Sequence, residues 1–138
     1  MTIVDVKKLF DYWYKEADYS WGVAESLLEK KKYAEALFFG HLTVEKILKA
    51  LVVTRQKDHA PPIHNLLKLA KIASLILNKE QTKYLEYLSK FYLAGRYDNY
   101  KMNFRKQCTK SYTEKNFVKL KEYYLWLKKE ARNKFRLL

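Results

Sequence analysis

Residues 33–56 read YAEALFFGHLTVEKILKALVVTRQ. Ala34, Leu37, His41, Val44, Leu48 and Leu51 recur at steps of three, four and seven, the spacing that aligns one face of an α-helix. Phe38, Leu42 and Val52 widen that face into the broad stripe of a core-facing helix. A strand would alternate every second residue instead, and this run does not. No proline interrupts it. The run therefore predicts a helix from Tyr33 to Gln56.

The same period continues on both sides. Leu9, Trp13, Ala17, Ala24 and Leu28, with Trp21 on the same broad face, predict a first helix from about Val4 to Lys30. Asp5, Asp11, Glu16 and Asp18 load its first half with negative charge and Lys30, Lys31 and Lys32 close it, which complements the helix dipole at both ends. Downstream, Asp58-His59-Ala60-Pro61-Pro62 is the clearest break, because two prolines cannot continue a helix. A third helix is expected from His64 to Leu77 on Leu66, Leu69, Ala70, Ala73 and Leu77, with Asn78 as its stop. A fourth starts at about Lys79, carries Tyr84, Leu88, Phe91 and Tyr92 on one side, and reaches Gly95. Residues 95–112 are the least regular, with Gly95, Asp98 and Asn99 as turn formers and a short helical piece around Met102 to Cys108. Ser111 and Glu114 have the spacing of a capping box. The last helix then runs to about Lys134 with Phe117, Leu120, Tyr124 and Leu127 inward, and Lys128, Arg132 and Arg136 as a basic stripe. The expected architecture is all-α, an up-and-down helical bundle of about five helices, in one domain over residues 1–138.

Composition agrees. The chain has 138 residues, 49% of them apolar, with three glycines and two prolines, too few for the many tight turns of a sandwich or barrel. One cysteine, Cys108, excludes an internal disulfide and a cysteine-rich metal site. The N-terminus shows no charged-then-apolar leader, and apolar runs such as Ala50 to Val53 are too short to span a bilayer, so a cytoplasmic protein without membrane contact is expected. The formal charge is +13 and uneven. Residues 1–100 carry 16 Lys+Arg against 12 Asp+Glu, a net of +4, whereas residues 101–138 carry 12 against 3, a net of +9. Such a field favours RNA, DNA, nucleotides or an acidic protein. With 23 lysines and five arginines, a merely solvated basic face fits equally well.

Few residues carry recognisable chemistry. His41 falls inside an apolar stripe and reads as a buried, hydrogen-bonded histidine. His59 and His64 bracket the prolines, and no further ligands complete a zinc set, so no metal and no cofactor are expected. Gly22, Gly40 and Gly95 stand too far apart for a phosphate loop, and no catalytic residue is assigned. Glu45 and Lys49, four apart, read as a surface ion pair. Twelve tyrosines, seven phenylalanines and three tryptophans mostly sit at core spacing. The exception is Arg96-Tyr97-Asp98-Asn99-Tyr100-Lys101. Its Arg96, Tyr97, Tyr100 and Lys101 are the candidate nucleotide- or RNA-binding residues, a guanidinium for phosphate and rings for a base. An ordinary polar loop, or an Arg96 paired with a buried carboxylate such as Glu45, is the alternative.

Several ordered pieces carry a family resemblance. Tyr33-Ala34-Glu35-Ala36-Leu37-Phe38-Phe39 leads into Val44-Glu45-Lys46-Ile47-Leu48-Lys49-Ala50-Leu51. Ala17-Asp18 and Ala24-Glu25-Ser26-Leu27-Leu28 precede them, and Pro61-Pro62-Ile63-His64-Asn65-Leu66 and Gly95-Arg96-Tyr97 follow. In this order they resemble the HEPN domain over roughly residues 8 to 130. The resemblance implies a helical bundle, usually a homodimer, often encoded beside a minimal nucleotidyltransferase in toxin–antitoxin-like pairs. Active members of the wider superfamily cut RNA without metal, using an arginine followed after four to six residues by a histidine. Here the positions after Arg96 are Lys101, Met102 and Asn103, and those after Arg105 are Lys110, Ser111 and Tyr112. Arg55 precedes His59 by only three intervening residues. The motif is absent as written. His64 matches a position that is often histidine in small members and reads as structural, while Ile63 stands where many have a capping threonine.

The resemblance and the missing histidine together imply a non-catalytic nucleotide- or RNA-binding subunit that partners a minimal nucleotidyltransferase. The alternatives are a metal-independent ribonuclease toxin with a degenerate motif and a helical protein-interaction adaptor.

Overall fold

The computed structural model describes residues 1–138 and consists of helices without a strand. They are α1 (Ile3–Glu29), α2 (Tyr33–Gln56), α3 (Leu66–Ile72), α4 (Lys79–Ser89), α5 (Phe91–Ala94), α6 (Asp98–Gln107) and α7 (Lys110–Arg136). No helix is long and apolar enough to cross a membrane.

Helix α1 starts at a capping box in which Thr2 and Asp5 satisfy each other's backbone N–H groups. Only Lys30–Lys32 separate it from α2, with Lys31 in the left-handed region at φ 60°. So short a link between two long helices that pack along each other makes an antiparallel hairpin. Its inner face holds Val6, Phe10, Ala17, Ser20, Trp21 and Ala24, with Leu9, Trp13 and Leu28 half-buried at the margin.

Helix α2 is the axis of the fold. Sixteen of its 24 residues are buried, around almost its whole circumference, because α1, α7, α3, α5 and α6 all pack on it. Gly40 lets α7 approach. A Cβ there would lie 2.7 Å from Leu120 Cδ1. Thirty buried residues form one continuous apolar cluster across the helices.

The expected five helices become seven because the third, fourth and connecting segments differ from the periodic reading. The third helix is half as long as expected and covers Leu66–Ile72. Asn65, not Ile63 or His64, caps it by accepting from the Lys68 N–H at 3.0 Å. It ends in a Schellman turn, with Ser74 left-handed at φ 59°, Leu75 N–H on Ala70 O and Ser74 N–H on Lys71 O. The apolar residues Leu75–Leu77 therefore lie outside the helix, and Ile76 is 96% exposed. The fourth helix breaks at Lys90, leaving α5 as a single turn that steers Gly95 against Phe38. The connecting piece is a full helix, α6, beginning at Asp98. The Ser111–Glu114 box does not form. Thr109 caps α7 two residues earlier, accepting from Tyr112 N–H at 3.2 Å, and Ser111 lies in the first turn.

Candidate functional site

The Arg96 segment sits where the α5 turn passes into α6. Arg96 and Tyr97 both donate their backbone N–H to Leu93 O, and Tyr97, in extended conformation, is the N-cap of α6. This corner is possible because Gly95 has no side chain. A Cβ there would lie 2.4 Å from the Phe38 ring of α2. The chain thus passes over an aromatic wall and then exposes Arg96, Tyr97, Tyr100 and Lys101 to solvent.

The guanidinium carbon of Arg96 lies 4.7 Å over the Tyr92 ring. Tyr92 in turn stacks on His64, with ring centroids 4.1 Å apart and planes inclined by 15°. His64 Nδ1 is 3.1 Å from both carboxylate oxygens of Glu45. Glu45 also takes the Lys49 ammonium at 3.2 Å, and Lys49 lies 5.0 Å over the Trp13 ring. A ladder thus runs from a buried carboxylate through imidazole and phenol to an exposed guanidinium. Arg96 takes part in none of the protein's ion pairs. Its charge is held by a ring face, which orients the cation without neutralising it. Glu45 is not its partner, and the Glu45–Lys49 pair is buried rather than on the surface, with side chains 6% and 7% exposed. The interior position follows from α2 being surrounded.

The four expected binding residues share the corner but do not converge on one pocket. Tyr97 and Tyr100 meet edge to face, with centroids 6.1 Å apart. Tyr100 lines a groove of about 360 Å³ beside Phe91 and Leu93. Lys101 lines a separate cavity of about 250 Å³ against Phe38, Phe39 and Phe104 of α2 and α6. Arg105 closes that cavity and pairs with Glu35 at 3.7 Å.

The basic residues of the last helix divide between surfaces. Lys128 is tied to Asp18 of α1 at 2.7 Å, and Tyr124 donates its hydroxyl to the same carboxylate. Burial, followed by that acceptor, pushes the Tyr124 hydroxyl well above the ordinary phenol range. Lys115 and Lys119 face α4 instead.

Among the remaining candidates, His41 is fully buried and donates from Nδ1 to Phe38 O at 2.9 Å, while its Nε2 has no partner. Burial holds the imidazole below its ordinary pKa, so it stays neutral. His59 lies in the loop after α2, its backbone N–H bonded to Asp58. No group of three or more His, Cys, Asp or Glu side chains is placed to hold a metal. Cys108 is buried, and burial together with Glu35 pushes its thiol up to about 12.

By sequence Tyr92 reads as packing, His64 as structural, and Glu45 either as half of a surface pair with Lys49 or as a buried partner of Arg96, and none of these readings places the His64–Tyr92 stack between Glu45 and Arg96. Tyr92 and His64 lie 28 positions apart in sequence, and no local period links them. The family position that is often histidine was the one available signal.

Compared with known proteins, the chain matches the family model of the HEPN domain over residues 10–130. No curated protein and no solved structure matches it.

Proposed function

The chain belongs to the HEPN domain family, and from that premise we propose that it is a non-catalytic nucleotide- or RNA-binding subunit. Its contact surface is the α5–α6 corner, with Arg96 for phosphate and Tyr97 and Tyr100 for bases, and with Lys101 adding charge at its flank. The observation that carries this reading is the state of Arg96, exposed, unpaired with any carboxylate and laid on Tyr92. Such a guanidinium keeps its hydrogen-bond fork for a ligand. The neighbouring exposed tyrosines supply faces on which a base can stack. In keeping with the family habit, the working unit is a homodimer partnered by a minimal nucleotidyltransferase in a toxin–antitoxin-like pair, and residues 1–138 form one domain of it.

The test is binding of a labelled single-stranded RNA, followed by anisotropy at low and at physiological salt. Wild type should bind with a steep salt dependence. Arg96→Ala should weaken binding about tenfold, the worth of one charge-assisted hydrogen bond. The same variant should keep its stability to within about 1 kcal/mol, since it loses only an exposed cation–π contact. Salt-insensitive or absent binding in wild type would refute the proposal. Co-purification with a nucleotidyltransferase, and sedimentation of the free protein as a dimer, test the partners.

A second reading has one observation in its favour. His64, oriented by the Glu45 carboxylate, lies against the Tyr92 ring that also carries Arg96. A carboxylate-oriented histidine near an arginine is the equipment of acid–base phosphodiester cleavage. RNA cleavage that survives a chelator and is lost in both His64→Gln and Arg96→Ala would favour the ribonuclease. An inert protein with intact binding keeps the first reading.

A further inference from the structure

Part of the C-terminal excess of positive charge collects away from the Arg96 corner. Along α4, Glu80, Lys83, Tyr84 and Tyr87 recur at i, i+3, i+4 and i+7, and they form one wall of a recess. Lys115, Asn116 and Lys119, one turn of α7, form the other wall. The recess has a volume of about 470 Å³. Its lining holds three ammonium groups against one carboxylate.

The three lysines are not equivalent. Lys119 lies 4.7 Å over the Tyr84 ring and 3.6 Å from Glu80, so it is held in place over a nearly buried aromatic floor. Lys83 and Lys115 enter no ion pair. Lys115 and Lys119 stand four apart on α7, a like-charge spacing that opposes the helix unless an anion sits between them. The apolar ring beneath them lowers the local dielectric and sharpens the field.

We propose that this α4–α7 recess binds a small oligophosphate, a ligand with adjacent phosphoryl groups, through Lys83, Lys115 and Lys119. Lysines are compact point charges that reward charge density, whereas the planar fork of arginine would select a shape. Three such charges carried on two helices are shared by a short chain of phosphoryl groups better than by a single phosphate. Glu80, now bound to Lys119, is released when the anion takes its place. The three lysines are none of the binding residues of the Arg96 corner, and only Tyr87 lines both the recess and the Tyr100 groove, so the recess stands or fails separately from the RNA-binding reading.

The experiment titrates the full chain with inorganic tripolyphosphate by calorimetry, with orthophosphate and a short single-stranded RNA in parallel. Wild type should bind one tripolyphosphate per chain, more tightly than orthophosphate, with affinity falling as salt rises. Lys115→Gln combined with Lys119→Gln should weaken it by tenfold or more, on the order of one or two lost charge-assisted contacts. Lys83→Gln should act in the same direction, and Lys129→Gln, at an exposed lysine of α7 outside the recess, should leave tripolyphosphate binding unchanged. A melting curve of each variant confirms that it is folded. Absence of saturable binding, or equal binding by the double variant, overturns the proposal. RNA binding that is tighter than tripolyphosphate and lost in the same lysine variants overturns it in favour of a nucleic-acid backbone.

Discussion

Replacing Glu45 should be among the most damaging single changes in the protein. Its carboxylate lies inside the bundle with 6% of the side chain exposed, and it is the counter-ion of Lys49, itself 7% exposed, at 3.2 Å. Glu45→Leu strands the Lys49 ammonium between α2 and Trp13 of α1, where a ring face at 5.0 Å is its only compensation. Breaking a buried pair from one side costs about 3–5 kcal/mol. For a chain of this length that lowers the melting temperature by roughly 10–20 °C. Lys49→Met should cost less, because Glu45 keeps His64 at 3.1 Å. The double variant Glu45→Leu with Lys49→Met removes both charges and should return to within about 1 kcal/mol of wild type, since a buried pair is often neutral against an apolar replacement. Urea denaturation of the four proteins closes a double-mutant cycle, with unchanged slopes confirming that the folded and unfolded states are comparable. A Glu45→Leu cost below about 1 kcal/mol would refute the argument. So would a double variant as unstable as the sum of the singles, for then packing and not the stranded charge is what the substitution disturbs.

Three further outcomes can be checked on the isolated protein. Gly95→Ala should destabilise by about 1–3 kcal/mol, because the new Cβ would lie 2.4 Å from the Phe38 ring, whereas Gly22→Ala, in mid-helix with nothing within 4 Å, should stabilise by about 0.5–1 kcal/mol. Denaturant midpoints of the two variants should therefore move in opposite directions. Because burial lowers the folded-state pKa of His41, the unfolded chain takes up the proton first as pH falls through the ordinary histidine value, so this group costs nothing at neutral pH and destabilises below about pH 6.5. Wild type should lose up to about 1.4 kcal/mol more per pH unit than His41→Gln in that window, and parallel pH profiles would refute the assignment. Cys108, 5% exposed with its thiol pushed up to about 12, should resist an aromatic disulfide reagent in the folded protein and react promptly in urea, so fast labelling of the native state would show that the α6–α7 joint opens.

Local chain chemistry sets the long helices and the class they make. A stripe such as Ala34 to Leu51 has the helical period whatever packs on it, and Tyr33–Gln56 is the helix found. The same local chemistry announced Asp5 at the start of α1 and the proline break after α2. Short elements were less legible, because their ends depend on which of several competing caps is used. Asn65 and the Schellman turn at Ser74 shortened α3, and Thr109 displaced the Ser111 box, although both patterns are sound locally. Arg96, Tyr97, Tyr100 and Lys101 could be singled out as exposed corner residues from their types alone. What stands beneath them could not. Only the wrapping of α2 on all sides turned Glu45 and Lys49 from a surface pair into a buried one. Only the packing of the α3 approach against α5 brought His64 onto Tyr92 and so under Arg96. Only the meeting of α4 and α7 side chains, Glu80 with Lys119 and Tyr84 with Tyr123, gathered Lys83, Lys115 and Lys119 around one recess. A helical period records which face a residue takes on its own helix, whereas a site is made by faces of different helices, and their meeting is fixed by packing across the whole chain.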